Sequence, residues 1–231
     1  MNLLAFEAAT RRLSVALWCD GMILEKHAEN PNGGSELLLP WARQLLAELG
    51  LGLKQIDGIA FGAGPGGFTG LRLACGVTQG LACGLDRPVV PVGTLAALAL
   101  ESGEGRVLAS LDARMNELYV GAYRVTGDAV EEILAPRVGD AKTAPLPEGE
   151  GWRGAGDGFG CAQGEHLRQR MGVRLSAIVP HVFPTASAVA RLAAPVLAAG
   201  GGVTAEDAQP LYVRDKVALT IAERHARGAD R

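Results

Sequence analysis

The sequence is poor in the residues that carry metal and thiol chemistry. Its four cysteines, Cys19, Cys75, Cys83 and Cys161, form no C-x-x-C pair. Its four histidines, His27, His166, His181 and His225, stand apart from one another. With no H-x-x-x-H or H-E-x-x-H spacing, the usual zinc and iron patterns are excluded. No G-x-S-x-G is present, and no Ser-His-Asp or Cys-His set can be assembled from spacing, which excludes the common nucleophilic hydrolases. A basic excess is lacking too: 22 Lys and Arg stand against 25 Asp and Glu, for a net charge of −3. A chain whose main task is to grip a nucleic-acid backbone carries the opposite balance. No apolar run approaches the roughly 18 residues of a membrane span. In the opening MNLLAFEAATRR, Glu7 breaks the apolar run and the arginines come after it, unlike a signal peptide. Scattered cysteines without an export signal predict reduced thiols in the cytoplasm.

Glycine is abundant, with 32 in 231 residues, about double the usual share of roughly 7%. Since 48% of the residues are hydrophobic, the chain can bury a core and is not disordered. The length is about one and a half domains at roughly 150 residues each. Strands are predicted at 2–8, 13–18 and 22–28, with Asp20-Gly21 as a two-residue hairpin turn. A helix over 35–49, with Ser35 as N-cap, precedes a strand at 56–62. A helix at about 69–85, a strand at 88–92 and a helix near 94–102 complete an α/β series.

The pattern then restarts. Strands at 107–112, 117–125 and 129–135 repeat the hairpin order, with a turn at Thr126-Gly127-Asp128. A shift of 105 places Leu3 on Leu108, Ala8 on Ala113, Leu13 on Leu118, Val15 on Val120 and Glu7 on Asp112. The repetition predicts two related lobes, 1–103 and 104–215, joined near ESGEG, with a tail at 216–231. In the second lobe, 137–151 reads as loop, GAGDGFG (154–160) opens a helix at 160–171, and 185–199 is an alanine-rich helix kinked near Pro195. PLYVR (210–214) is a candidate closing strand.

The sharpest local feature is the glycine loop Gly62–Gly70, between a strand and a helix. It matches G-x-G-x-x-G, but Asp86 precedes the next strand instead of ending it, so the dinucleotide context fails. No Lys-Ser/Thr pair follows, so it is not a P-loop. Two readings stay open: an anion cradle of backbone N–H groups, or a tight turn without a ligand. Glu7 and Asp112 each end the first strand of a lobe. If both face the cleft between lobes, they suit water-mediated Mg²⁺ under nucleotide phosphates; the alternative is that each caps its own turn.

Helix 35–49 carries Leu38, Trp41 and Leu45 in one stripe with Leu39, Ala42 and Leu46 beside it, wider than one sheet contact needs. Helix 69–85 carries Gly76, Gly80 and Gly84 in line, each costing about 1 kcal/mol against alanine. Close packing of the two helices would offset that cost. The expected docking residues are Leu38, Trp41, Leu45, Arg72, Gly76, Val77, Gly80 and Leu81.

GPGGFTGLRLACG (64–76), SELLLP (35–40), PVVPVGTLAALA (88–99), LDARMNELYVGAY (111–123) and PLYVRDKVALTIAER (210–224) together resemble the bacterial TsaB (YeaZ) family. The resemblance implies two related lobes of the actin/hexokinase/Hsp70-like (ASKHA, ribonuclease H-like) type, each a mixed sheet with flanking helices. It implies a non-catalytic subunit that scaffolds the catalytic paralogue TsaD and supports the ATPase TsaE in placing threonylcarbamoyl on tRNA adenosine 37. Contact with tRNA would be indirect, and a homodimer is expected without the partner. TsaD carries a metal-binding His-x-x-x-His whose positions fall here on Thr94 and Leu98. The family's opening Asp-Thr-Ser is Glu7-Ala8-Ala9, its frequent histidine before Ser-Glu is Gly34, and a common loop serine is Gly67. No cofactor is required. ATP or ADP with Mg²⁺ would lie in the cleft or at a subunit boundary, near Glu7, Gly64, Gly66, Gly67, Thr69, Asp112, Gly156 and Asp157. Two rivals remain: a Mg-ATP-dependent kinase or acyl-phosphate enzyme using Glu7 and Asp112, and a metalloendopeptidase, which the missing histidine pair disfavours.

Overall fold

A computed structural model describes residues 1–29 and 34–213. Strands β1 (Asn2–Glu7), β2 (Arg12–Cys19) and β3 (Met22–Glu29) form the meander. Asp20 and Gly21 both take positive φ, 47° and 92°, as the hairpin turn requires. Helix α1 (Ser35–Glu48) leads to β4 (Gly58–Gly64), α2 (Phe68–Leu85), β5 (Val89–Gly93) and α3 (Thr94–Glu101). Gly34, without a side-chain bond, takes the N-cap place expected for Ser35. The order then repeats with β6 (Gly105–Asp112), β7 (Leu118–Thr126), β8 (Ala129–Gly139), β9 (Trp152–Ala155), α4 (Ala162–Met171), β10 (Leu175–Val179) and α5 (Ala186–Ala198).

The two sheets have the same topology. The first runs β3-β2-β1-β4-β5 and the second β8-β7-β6-β9-β10, with the last two strands of each parallel to its first. The fold is thus α/β with two related five-stranded mixed sheets and flanking helices. Strand β10 was not anticipated; it is a partly exposed edge strand without a buried alternation. A counterpart of α1 is missing, and 140–151 replaces it as a loop stapled by arginines. Arg170 donates to the Ala141 and Ala144 carbonyls at 2.7 and 2.8 Å, and Arg174 to Pro147 at 3.1 Å.

The central layer crosses between lobes. Helix α3 packs on the second sheet and α5 on the first, and their alanines and leucines form one core between the sheets with Leu3, Ala5, Val107, Ala109 and Leu111. Thr185 caps α5 by accepting from Ala188 N–H, and Ser14 and Glu25 of the first sheet accept from Ala186 and Ser187. After α5 the chain returns to the first lobe. Val203 exchanges backbone bonds with Val89, and Leu211 N–H reaches the Ala63 carbonyl at 2.7 Å. The contiguous range 104–215 therefore does not describe a packing unit. The expected strand at 210–214 is a single backbone contact through its described residues, 210–213; the tail 216–231 lies outside the described residues.

The internal alignment needs one correction. Leu13 and Leu118, like Val15 and Val120, face the outer helices of their sheets and are equivalent. Leu3, however, faces the central layer while Leu108 faces α4's side. In β1 and β6 the matching pairs are Leu3 with Val107, Ala5 with Ala109 and Glu7 with Leu111. Pairing of Glu7 with Ser14 and of Leu111 with Tyr119 fixes this register. A strand has period two, so a one-residue slip between β1 and β6 puts each of their side chains on the wrong face. Glu7 and Asp112 are not counterparts.

Candidate functional site: the interlobe cleft and the face of α2

A cleft of about 1180 Å³ opens where the strand ends of both sheets meet. Gly66, Gly67 and Thr69 line it from the first lobe, Asp112, Arg114 and Asp157 from the second. Glu7 does not reach it. Its side chain is fully buried, and Oε1 accepts the Ala9 N–H at 2.6 Å, as in the turn-capping alternative. Burial pushes this carboxyl up to about 7, against the lowering effect of the Ala9 and Ala8 N–H groups and the Thr94 hydroxyl. A Cβ at Gly62 would overlap the carboxylate, so glycine there is required by close approach.

The glycine loop is shaped by the neighbouring turn. Side chains at Gly66 and Gly70 would run into Ala9 and Ala8, and Gly67 N–H is spent on the Ala9 carbonyl at 2.7 Å. The tight-turn reading accounts for these glycines. Gly64, at φ 115°, is buried with the Leu211 carbonyl packed over it. Gly156, at φ 100°, packs on Ser110 and Leu98, also away from the cleft lining. What α2 offers the cleft is its uncapped first turn, Phe68 to Leu71.

The cleft's carboxylates are already engaged. Asp112 accepts from Arg114 N–H at 2.8 Å and pairs with its guanidinium at 3.2 Å. Asp157 accepts the Asp112 N–H at 3.1 Å. Burial raises the Asp157 carboxyl, the Asp112 charge adds to the rise, and the Asp112 N–H, Arg11 and Arg114 oppose it. Among the described residues no group of three Asp, Glu, His or Cys side chains could hold a metal ion. With Glu7 withdrawn, Mg²⁺ would depend on Asp112 and Asp157 through water. Thr94 and Leu98 are both fully buried. The Thr94 hydroxyl accepts from Gly64 N–H at 3.0 Å and donates toward Glu7 at 3.5 Å.

The expected docking residues divide. Leu38 and Leu45 are buried in the core beneath the first sheet and cannot meet a partner. Trp41, Val77 and Leu81 are half-buried, while Arg72, Gly76 and Gly80 are exposed. The glycine line does not admit α1: a Cβ at Gly76, Gly80 or Gly84 would meet nothing among the described residues within 4 Å. Sequence reasoning also missed the cluster at the head of α2. The Arg72 guanidinium lies 3.8 Å from the Phe68 ring centroid and donates to the Tyr212 hydroxyl at 3.2 Å, and the two rings stand 6.5 Å apart. Only the arginine in FTGLR hinted at it; its partner Tyr212 is remote in sequence.

Comparison with known proteins places this architecture. Residues 32–150 match the family model described as TsaD, tRNA N6-adenosine threonylcarbamoyltransferase. The chain is 33% identical to the tRNA threonylcarbamoyladenosine biosynthesis protein TsaB of Escherichia coli K12, over 94% of this chain and 96% of that protein. It is 42% identical to the Haemophilus influenzae TsaB over 52% of each. The solved structure of YeaZ from Pseudomonas aeruginosa superposes with a TM-score of 0.83 at 40% identity, covering 91% of this chain and 99% of that one.

Proposed function

We propose that this chain, which belongs to the TsaB family of tRNA threonylcarbamoyladenosine biosynthesis proteins, is a non-catalytic scaffold that docks TsaD through the exposed face of α2. The observation that carries the reading is the open glycine line. Gly76 and Gly80, in the interior of α2, weaken the helix by about 1 kcal/mol each relative to alanine, while Gly84 lies in its last turn. Among the described residues nothing occupies the space above Gly76, Gly80 and Gly84. A partner helix approaching at backbone distance makes use of that space. Val77 and Leu81 supply apolar flanks, Trp41 extends them on α1, and Phe68 and Arg72 sit at the open end.

A supporting role fits the positions where the catalytic paralogue keeps its histidines. Thr94 and Leu98 serve packing and a backbone bond, and neither offers a metal ligand. On this reading TsaE joins the assembled pair, tRNA meets the chain only through the complex, and the cytoplasm is its compartment. ATP or ADP is not required for docking. Without TsaD the same face pairs with a second copy, because an apolar patch can be its own complement. Co-purification of TsaD with wild-type and Gly80→Asp protein tests the docking face. Light scattering of the isolated chain tests self-association through the same substitution.

The rival kinase or acyl-phosphate reading loses one of its two carboxylates, since Glu7 is sealed from the cleft. Turnover of ATP by the isolated chain would revive it.

A further inference from the structure

Glu7 is the only charged side chain among the fully buried described residues. An unpaired buried carboxyl is costly, several kcal/mol if ionised in an apolar site. A leucine would serve the packing, and Leu111 holds the equivalent place in the second lobe. Among the described residues no cation compensates Glu7. Arg12, the first residue of β2, pairs with Glu29 at 3.7 Å, and Arg11 stacks 4.4 Å over Phe183. Glu101 of α3 is engaged by the Thr185 hydroxyl at 2.8 Å, and at the start of α5 the Ala186 N–H donates to Ser14 of the neighbouring strand β2, not to Glu7.

Its contacts converge on one object. Oε1 holds the Ala9 N–H, and Thr94 links Oε2 to the Gly64 N–H. The Ala9 carbonyl then holds Gly67, the N-cap of α2, whose own carbonyl accepts from Leu71 at 3.0 Å. The backbones of Ala8 and Ala9 fill the room beside Gly70 and Gly66. The second lobe, with leucine in this place, has no long outer helix to aim; α4 spans 10 residues against 18 in α2.

We propose that Glu7 is a positioning residue: through the Ala8-Ala9 turn its carboxylate sets the glycine loop and the head of α2, and so the face that α2 presents to a partner. The last clause rests on the docking role of α2; the first does not.

Amide hydrogen exchange on the full chain, with capture of TsaD measured in parallel, separates the two. In Glu7→Leu, protection at Ala9, Gly67 and Leu71 is expected to fall about tenfold or more, while β7 and α4 stay within about twofold. Glu7→Gln keeps an acceptor for Ala9 and is expected to restore protection. A role limited to filling space would not distinguish glutamine from leucine. If Glu7→Leu fails to fold, Gly62→Ala displaces the carboxylate while keeping it, and the same local loss is expected. Unchanged protection in these variants, or equal loss in Gln and Leu, overturns the proposal. Local loss with undiminished TsaD capture upholds positioning and removes the docking role.

Discussion

Gly62 and Glu7 interlock: the carboxylate of Glu7 occupies the volume that a side chain at residue 62 would need. Neither strand explains the other alone. A buried acid at the end of β1 is tolerated because β4 presents bare backbone to it, and the acid in turn ties down the β1–β2 turn. Overpacking there is expected to be severe. Gly62→Ala should lower stability by about 2 kcal/mol or more in urea unfolding, whereas Gly80→Ala, with open space around it, should raise stability by about 0.5 kcal/mol or more.

Stability should also depend on pH through Glu7. Burial lifts its folded-state value to about 7 from an ordinary 4.5, so between these values the folded chain holds a proton that the unfolded chain releases. The contribution is therefore full below the ordinary range and is lost as pH rises through about 7. Urea midpoints between pH 5 and 8 should decline in the wild type. The decline should flatten in Glu7→Gln.

A charge at Leu45 is no test of docking. With 1% of its surface exposed, Leu45 belongs to the core under the first sheet. Leu45→Ala should cost about 2–5 kcal/mol, and Leu45→Asp should prevent folding, as circular dichroism would record.

The cleft gives a separate prediction. As a scaffold, the isolated chain should not turn over ATP in the presence of Mg²⁺. Turnover that disappeared in Asp112→Asn or Asp157→Asn would assign chemistry to the cleft and contradict the scaffold role.

Much of the architecture was legible in residue pattern. The Asp20-Gly21 turn and the repeated meander announced the duplication, and Leu13/Leu118 and Val15/Val120 matched correctly. The slip came in the turn between the paired strands, which is one residue longer in the second lobe: Leu111 and Tyr119 bracket seven residues, Glu7 and Ser14 six. A similarity count cannot see that change, but side-chain faces can. The glycine loop was legible as a backbone feature; its cause, the neighbouring Ala8-Ala9 turn, is a tertiary contact with no local signature. Helical spacing grouped Gly76, Gly80 and Gly84, and only the fold shows that they face outward. The same spacing grouped Leu38 and Leu45 with Trp41, although the leucines are core.

Capture of TsaD by wild-type and Gly80→Asp protein, compared at matched thermal stability, tests the docking role most directly. The substitution should leave the melting temperature near the wild-type value and abolish capture. Wild-type capture by Gly80→Asp would contradict it.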